Sequence, residues 1–191
     1  MANEVSIETT LDDLEVLFNQ MKEVYFIKTP NQELSAITKF DIELPVLDDG
    51  VTFNTGEASI TKIKLTTGRI WTSVADAGDA DIQFQVASVA GPINELLMKK
   101  KTETVSMTVT VDGDTYEGEG YDTTPKKVKG AFFMRSEDRA TAIYIPNVEG
   151  YSHFISEKGK PGYFNTSWSP KNDTHGAGIY ILRKKAVAPA P

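Results

Sequence analysis

Alternation of apolar and polar residues with a period of two dominates the chain. In residues 81–88, Ile82, Phe84 and Val86 fall on one face and Gln83 and Gln85 on the other. Residues 104–111 repeat the pattern, with Thr104, Ser106, Thr108 and Thr110 forming the polar side. Such alternation belongs to a half-buried strand. Between the two, Gly91-Pro92 opens a helix expected over residues 93–101. Its closing Lys99, Lys100 and Lys101 suit the negative end of a helix dipole. Apart from Asp81, both polar faces are uncharged, a character that fits contact with a lumen or another subunit better than catalysis.

The same pattern predicts strands over residues 23–28, 38–44, 60–65, 69–74, 115–119, 131–135, 140–145, 151–155, 162–168 and 179–183, with a short one around 51–53. Thr66-Thr67-Gly68, Asp112-Gly113 and residues 136–139 read as hairpin turns. Thr10 to Asp13 resembles a capping box, and Leu11, Leu14, Leu17, Phe18 and Met21 follow at helical spacing. Residues 45–59 form a long excursion with two turn signals, Asp48-Asp49-Gly50 and Asn54-Thr55-Gly56. Excursions of that length in compact domains are often functional. The expected fold is mainly β: a β-sandwich or barrel of about ten short strands with two short flanking α-helices. It occupies residues 1–183 as one domain, with an Ala/Pro-rich extension over 184–191.

Composition narrows the chemistry. The chain has 191 residues, a net charge of −7 and no cysteine. Disulfides, thiolate metal sites and cysteine nucleophiles are therefore excluded. An acidic chain is poorly suited to wrapping DNA but suits a surface past which DNA slides. No apolar run approaches the ~20 residues of a membrane span. The first residues lack the basic and apolar segments of an export signal, which predicts a protein that stays in the cytoplasm.

His153 and His175 lack metal-ligand spacing, and neither a Gly-x-Ser-x-Gly elbow nor a P-loop occurs. Asp76, Asp79 and Asp81 do not match an EF-hand loop and read as a solvated turn. Trp71, Trp168, Tyr116, Tyr121, Tyr151 and Tyr163 could form a sugar-stacking platform, but aromatics are also the usual filling of strand cores or interfaces. Lys126, Lys127 and Lys129 are expected to pair with acidic loops. No cofactor, no metal and no enzymatic activity are expected.

The chain resembles the major tail proteins, or tail tube proteins, of tailed bacteriophages, in the type found in Bacteroidetes phages and prophages. The likeness lies in residues 49–56, 60–65, 70–72 and 78–88, the helix from Ile93 to Met98, and residues 129–135 and 142–145. It spans roughly residues 8–155, in patterns of strand and turn.

The resemblance implies a structural virion protein. Its subunits form hexameric rings that stack into a tube for non-specific passage of DNA. Assembly takes place in the host cytoplasm, with tape measure and terminator proteins as further partners. Carried onto this chain, the loop holding Asp48, Asp49, Gly50, Phe53, Asn54 and Gly56 is the candidate inter-ring arm, with residues 1–9 and 184–191 as weaker ones. Gln83, Gln85, Thr104, Ser106, Thr108 and Thr110 are the candidate lumen face, and residues 60–74 are an alternative weakened by Lys62 and Lys64. Rival expectations are a capsid decoration protein and a carbohydrate-binding module using Trp71 or Trp168.

Overall fold

The computed structural model describes residues 20–76, 78–87, 91–101, 107–159 and 161–185. The helix expected from Thr10, the arm 1–9, Thr104, Ser106 and residues 186–191 lie outside the described residues.

The protein is mainly β. In chain order the strands are β1 (Met21–Ile27), β2 (Ile42–Leu44), β3 (Thr52–Asn54), β4 (Ser59–Lys64), β5 (Ile70–Asp76) and β6 (Asp81–Ala87). After the helix α1 (Gly91–Leu97) come β7 (Lys99–Lys100), β8 (Met107–Val111), β9 (Asp114–Gly118) and β10 (Tyr121–Asp122). The last four are β11 (Val128–Ser136), β12 (Thr141–Ile155), β13 (Tyr163–Pro170) and β14 (Tyr180–Arg183).

Eight strands form one antiparallel sheet in the order β2-β1-β11-β12-β13-β6-β3, with β14 also paired to β12. The sheet is strongly rolled. Strands β11 and β6 stand three places apart, about 14 Å along a flat sheet. Yet the rings of Phe132 and Phe84 on those strands meet at 5.6 Å, and both contact Trp168 of β13. Phe26, Phe84, Phe132, Phe164 and Trp168 thus fill one side of the roll together with Ile93, Leu96 and Leu97 of α1. Burial of each such side chain stabilises the fold by about 1.5–3 kcal/mol. Gly150 lies opposite Trp168 in the register, where a Cβ would sit 2.3 Å from the indole. The ring lies over the backbone because glycine leaves it room.

The roll does not close into a continuous barrel. Strand β2 pairs with β1, and the chain after it reaches β6 through a Val46–Val86 bridge, Ala87 N–H to Pro45 O (2.9 Å) and Leu47 N–H to Gln85 O (2.9 Å). Strand β3 then occupies the rest of the same β6 edge.

Several expectations change. The strands expected over 140–145 and 151–155 are one strand, β12. Pro146-Asn147, which lacks one N–H and looks like a break, is a bulge: two residues stand opposite Ala131 between the pairs Phe132–Ile145 and Gly130–Val148. The bulge bends β12, whose far edge passes from β14 to β13 at this point. The helix expected from Thr10 falls outside the described residues, and one α-helix, α1, is found among them. It ends at Leu97, and Lys99–Lys100 pair with Tyr121–Asp122 as strand, so the lysines do not close a helix. Lys100 instead meets Glu95 (2.9 Å) and Glu119 (2.6 Å). Of the strand expected over 38–44, only Ile42–Leu44 forms. Tertiary pairing overrides local pattern in each case.

Candidate assembly surface

Two hairpins stand outside the rolled sheet. Among the described residues, strands β4 and β5 pair only with each other, as do β8 and β9. Every residue in 57–76 and in 108–119 is exposed.

The local causes of both hairpins are plain. Gly68 at φ +81° closes β4–β5, with Leu65 N–H donating to Arg69 O and Gly68 N–H to Leu65 O, both 2.8 Å. Asp112 and Gly113 both take positive φ, +50° and +92°, as a two-residue turn between right-twisted strands demands. In β8–β9, Val109 stands opposite Tyr116, and Thr110 opposite Thr115 with hydroxyl oxygens 3.2 Å apart. One face therefore carries Val109, Val111 and Tyr116, each about half exposed, and the other carries Thr108, Thr110, Thr115 and Glu117. The β4–β5 ribbon exposes Ile60, Ile63, Ile70 and Val74, and a bulge leaves Trp71 as the extra residue, 69% exposed. A two-stranded hairpin is marginal in water by itself, and contiguous exposed apolar surface marks a contact site.

The loop expected as the inter-ring arm is largely held on its own sheet. Residues 45–54 run along β6, Phe53 packs on the core as part of β3, and Gly50 N–H donates to Leu47 O at 2.9 Å. Asp48 and Asp49 border a shallow cleft with Gln85 and Tyr163, and Gln20 Nε2 donates to Asp49 O at 3.2 Å. Asn54 caps the following turn, its Oδ1 accepting from Gly56 N–H at 3.0 Å. Gly56 then marks the root of β4–β5, so the element that projects is the hairpin after the loop.

The expected lumen residues divide between two sheets. Gln83 and Gln85 lie on the outer face of β6, away from the core. Thr108 and Thr110 lie on the separate β8–β9 ribbon, so they do not extend the β6 face. Two rows of side chains cross that face instead. Thr52, Gln83, Ser167 and Tyr151 align from β3 to β12, and Gln85, Asn165 and His153 align beside them. Asn165, Ser167, Tyr151 and Thr52 were absent from the expected set. The alternation of Asn165 and Ser167 with Phe164, Thr166 and Trp168 carried their signal. Asp81 bounds the rows, its carboxylate accepting from Gln83 Nε2 at 2.5 Å and from Ser167 Oγ at 3.3 Å.

Lys127 and Lys129 of the basic run pair within the chain, with an acid on strand β12 where acidic loops were expected. Lys127, Lys129 and Lys171 all meet Glu149, at 2.7, 2.8 and 2.6 Å. These three ammonium groups hold the Glu149 carboxyl well below the usual carboxylate range. Lys126 Nζ donates to Glu95 O at 2.6 Å, and burial, opposed by Glu95 and aided by Lys28, lowers its pKa. It lines a cleft of about 440 Å³ with Lys28, Asp41 and Glu95, whose lining includes no hydroxyl, thiol or imidazole. No group of three or more His, Asp or Glu suited to hold a metal occurs among the described residues. Trp168 is 1% exposed and stacked inside the core, which removes it as a sugar platform; Tyr163 is buried too. Among the described residues, no helix is long and apolar enough to cross a membrane. No protein-family profile matches the chain, and no curated protein matches it significantly.

Proposed function

We propose that this chain is a structural virion subunit that assembles as hexameric rings, stacked into a phage tail tube that conducts DNA. The observation that carries the reading is the pair of exposed, unpartnered ribbons, each with apolar side chains and free strand edges. Neighbouring copies that cover these ribbons remove both liabilities at once, and a closed ring leaves no edge unpaired. The open borders of the rolled sheet are then completed into a sandwich by the strands of adjacent subunits.

The neutral rows around Gln83 and Ser167 suit a wall that DNA passes. Hydroxyls and amides give phosphate no fixed counter-charge, whereas a lysine-lined bore would retain it. The family resemblance in residues 8–155 supports the same reading.

Electron microscopy of the purified protein, with sedimentation over a range of concentrations, tests it. Hollow tubes or six-fold rings are expected. A protein that stays monomeric at every concentration and salt condition overturns the proposal, and one that binds preformed shells without polymerising favours a decoration protein.

A further inference from the structure

The two free ribbons carry opposite charge. Strands β4 and β5 with their turn hold Lys62, Lys64 and Arg69, and Asp76 at the root is their only acid. Strands β8 and β9 with their turn hold Asp112, Asp114 and Glu117 and no cation. None of these seven side chains makes an ion pair among the described residues. Elsewhere several charges pair within the chain, as in Lys22–Glu137, Lys100–Glu119 and the Glu149 cluster.

Resting on the assembly reading above, we infer that the β4–β5 ribbon of one copy docks against the β8–β9 ribbon of the next. The occupant is a second copy of this chain because each ribbon has what the other lacks. Apolar residues on both, Trp71 and Ile63 on one and Val109 and Tyr116 on the other, supply buried surface, and the charges set partner and direction.

The pattern also disfavours contact between like ribbons. A two-fold axis through either ribbon would set β4–β5 against β4–β5, lysine facing lysine, or acid facing acid across β8–β9. Like charges placed opposite one another are repelled. A head-to-tail contact brings unlike ribbons together, and such contacts generate rings or open helices.

Charge reversal tests this. One variant carries K62E, K64E and R69E, and a second carries D112K, D114K and E117K. All six positions are exposed, so circular dichroism should match the wild type. Each variant alone should need roughly a hundredfold more protein to assemble. Mixed in equal amounts, the two should assemble again in strict alternation, since each then offers the other an opposite ribbon. Raising NaCl from about 0.05 to about 0.5 M should weaken the wild type, because exposed charges are screened over a shortened Debye length. Wild-type tubes together with normal assembly of either variant alone overturn the docking and leave the tube reading intact. A mixture that fails while the wild type assembles overturns the docking in the same way. A wild type that never assembles removes both.

Discussion

Gly56 and Gly78 meet backbone to backbone at the root of the β4–β5 hairpin. A Cβ on Gly56 would lie 2.4 Å from the carbonyl oxygen of Gly78, and one on Gly78 would lie 2.4 Å from that of Glu57. The two legs of the hairpin leave the sheet through this contact, which sets where the ribbon points. Gly56 also sits at φ +88°, where L side chains are strained.

Gly56→Ala should therefore destabilise the fold by about 1–3 kcal/mol, from strain and the carbonyl clash together. The rolled sheet lies beyond the contact and should keep its core. Urea denaturation should show a lower midpoint with a cooperative transition retained. Assembly should suffer more than stability does, because a re-aimed ribbon misses its neighbour. Normal tubes from Gly56→Ala would show that the contact does not direct the hairpin.

The core prediction concerns Trp168, which joins Phe26, Phe84 and Phe132 over Gly150. Trp168→Ala should cost about 3–5 kcal/mol, the range for truncating a buried aromatic. Gly150→Ala should also destabilise, since its new methyl group would enter the space of the indole. The two substitutions together should cost less than their sum, because removing the indole clears room for the methyl. Denaturation of the four proteins measures that coupling, and strict additivity would mean the ring shifts away from Gly150 without strain.

How much of this was legible depended on whether the cause was local. The Asp112-Gly113 hairpin was readable because a two-residue turn needs positive φ at adjacent positions, and that demand is written in residue types. The inward faces of β6 and β13 were readable for the same reason, since alternation reports sidedness directly. Neighbourhood was not. Thr108 and Gln83 have similar chemistry and similar patterns, yet one lies on a free ribbon and the other in the large sheet. Alternation names the face a residue takes and is silent about the strand beside it. Lys99 and Lys100 read as the end of a helix because their partners, Asp122 and Tyr121, are distant in sequence. Residues 140–145 and 151–155 read as two strands because alternation is interrupted at a bulge as it is at a turn, and only pairing on both sides distinguishes them.

Glu149 ties the stability of the fold to acid pH. Hydrogen bonds from Lys127, Lys129 and Lys171 lower its pKa in the folded protein, relative to an ordinary value of 4.5. Its contribution is therefore complete above about pH 4.5 and is lost as pH falls through the depressed folded value. Once protonated, it leaves three lysines facing one another without a counter-charge. Thermal unfolding followed from about pH 6 to pH 2 should show the wild-type melting temperature falling across this acid range. Glu149→Gln should start lower at neutral pH and decline less steeply. Parallel profiles for the two proteins would assign acid sensitivity elsewhere. Glu23 contributes in the same direction: burial alone would raise its pKa, but Arg139 and Arg135 together outweigh that and lower it.

The two tryptophans report on assembly separately. Trp168 is 1% exposed and Trp71 is 69% exposed, so they occupy opposite extremes of environment within one chain. Iodide should quench the emission of Trp71 in the monomer and leave that of Trp168 nearly untouched. If the β4–β5 ribbon is covered when copies join, Trp71 moves from water into an apolar contact. Its emission should shift to the blue and its quenching should fall, in step with the sedimenting fraction. Trp71→Phe should abolish the shift and still assemble, because phenylalanine keeps most of the apolar surface. Trp168→Phe should keep it, since that ring is already buried before any contact forms. Tubes in which Trp71 remains as accessible to iodide as in the monomer would place the ribbon on the outside of the assembly and exclude it from the subunit contact.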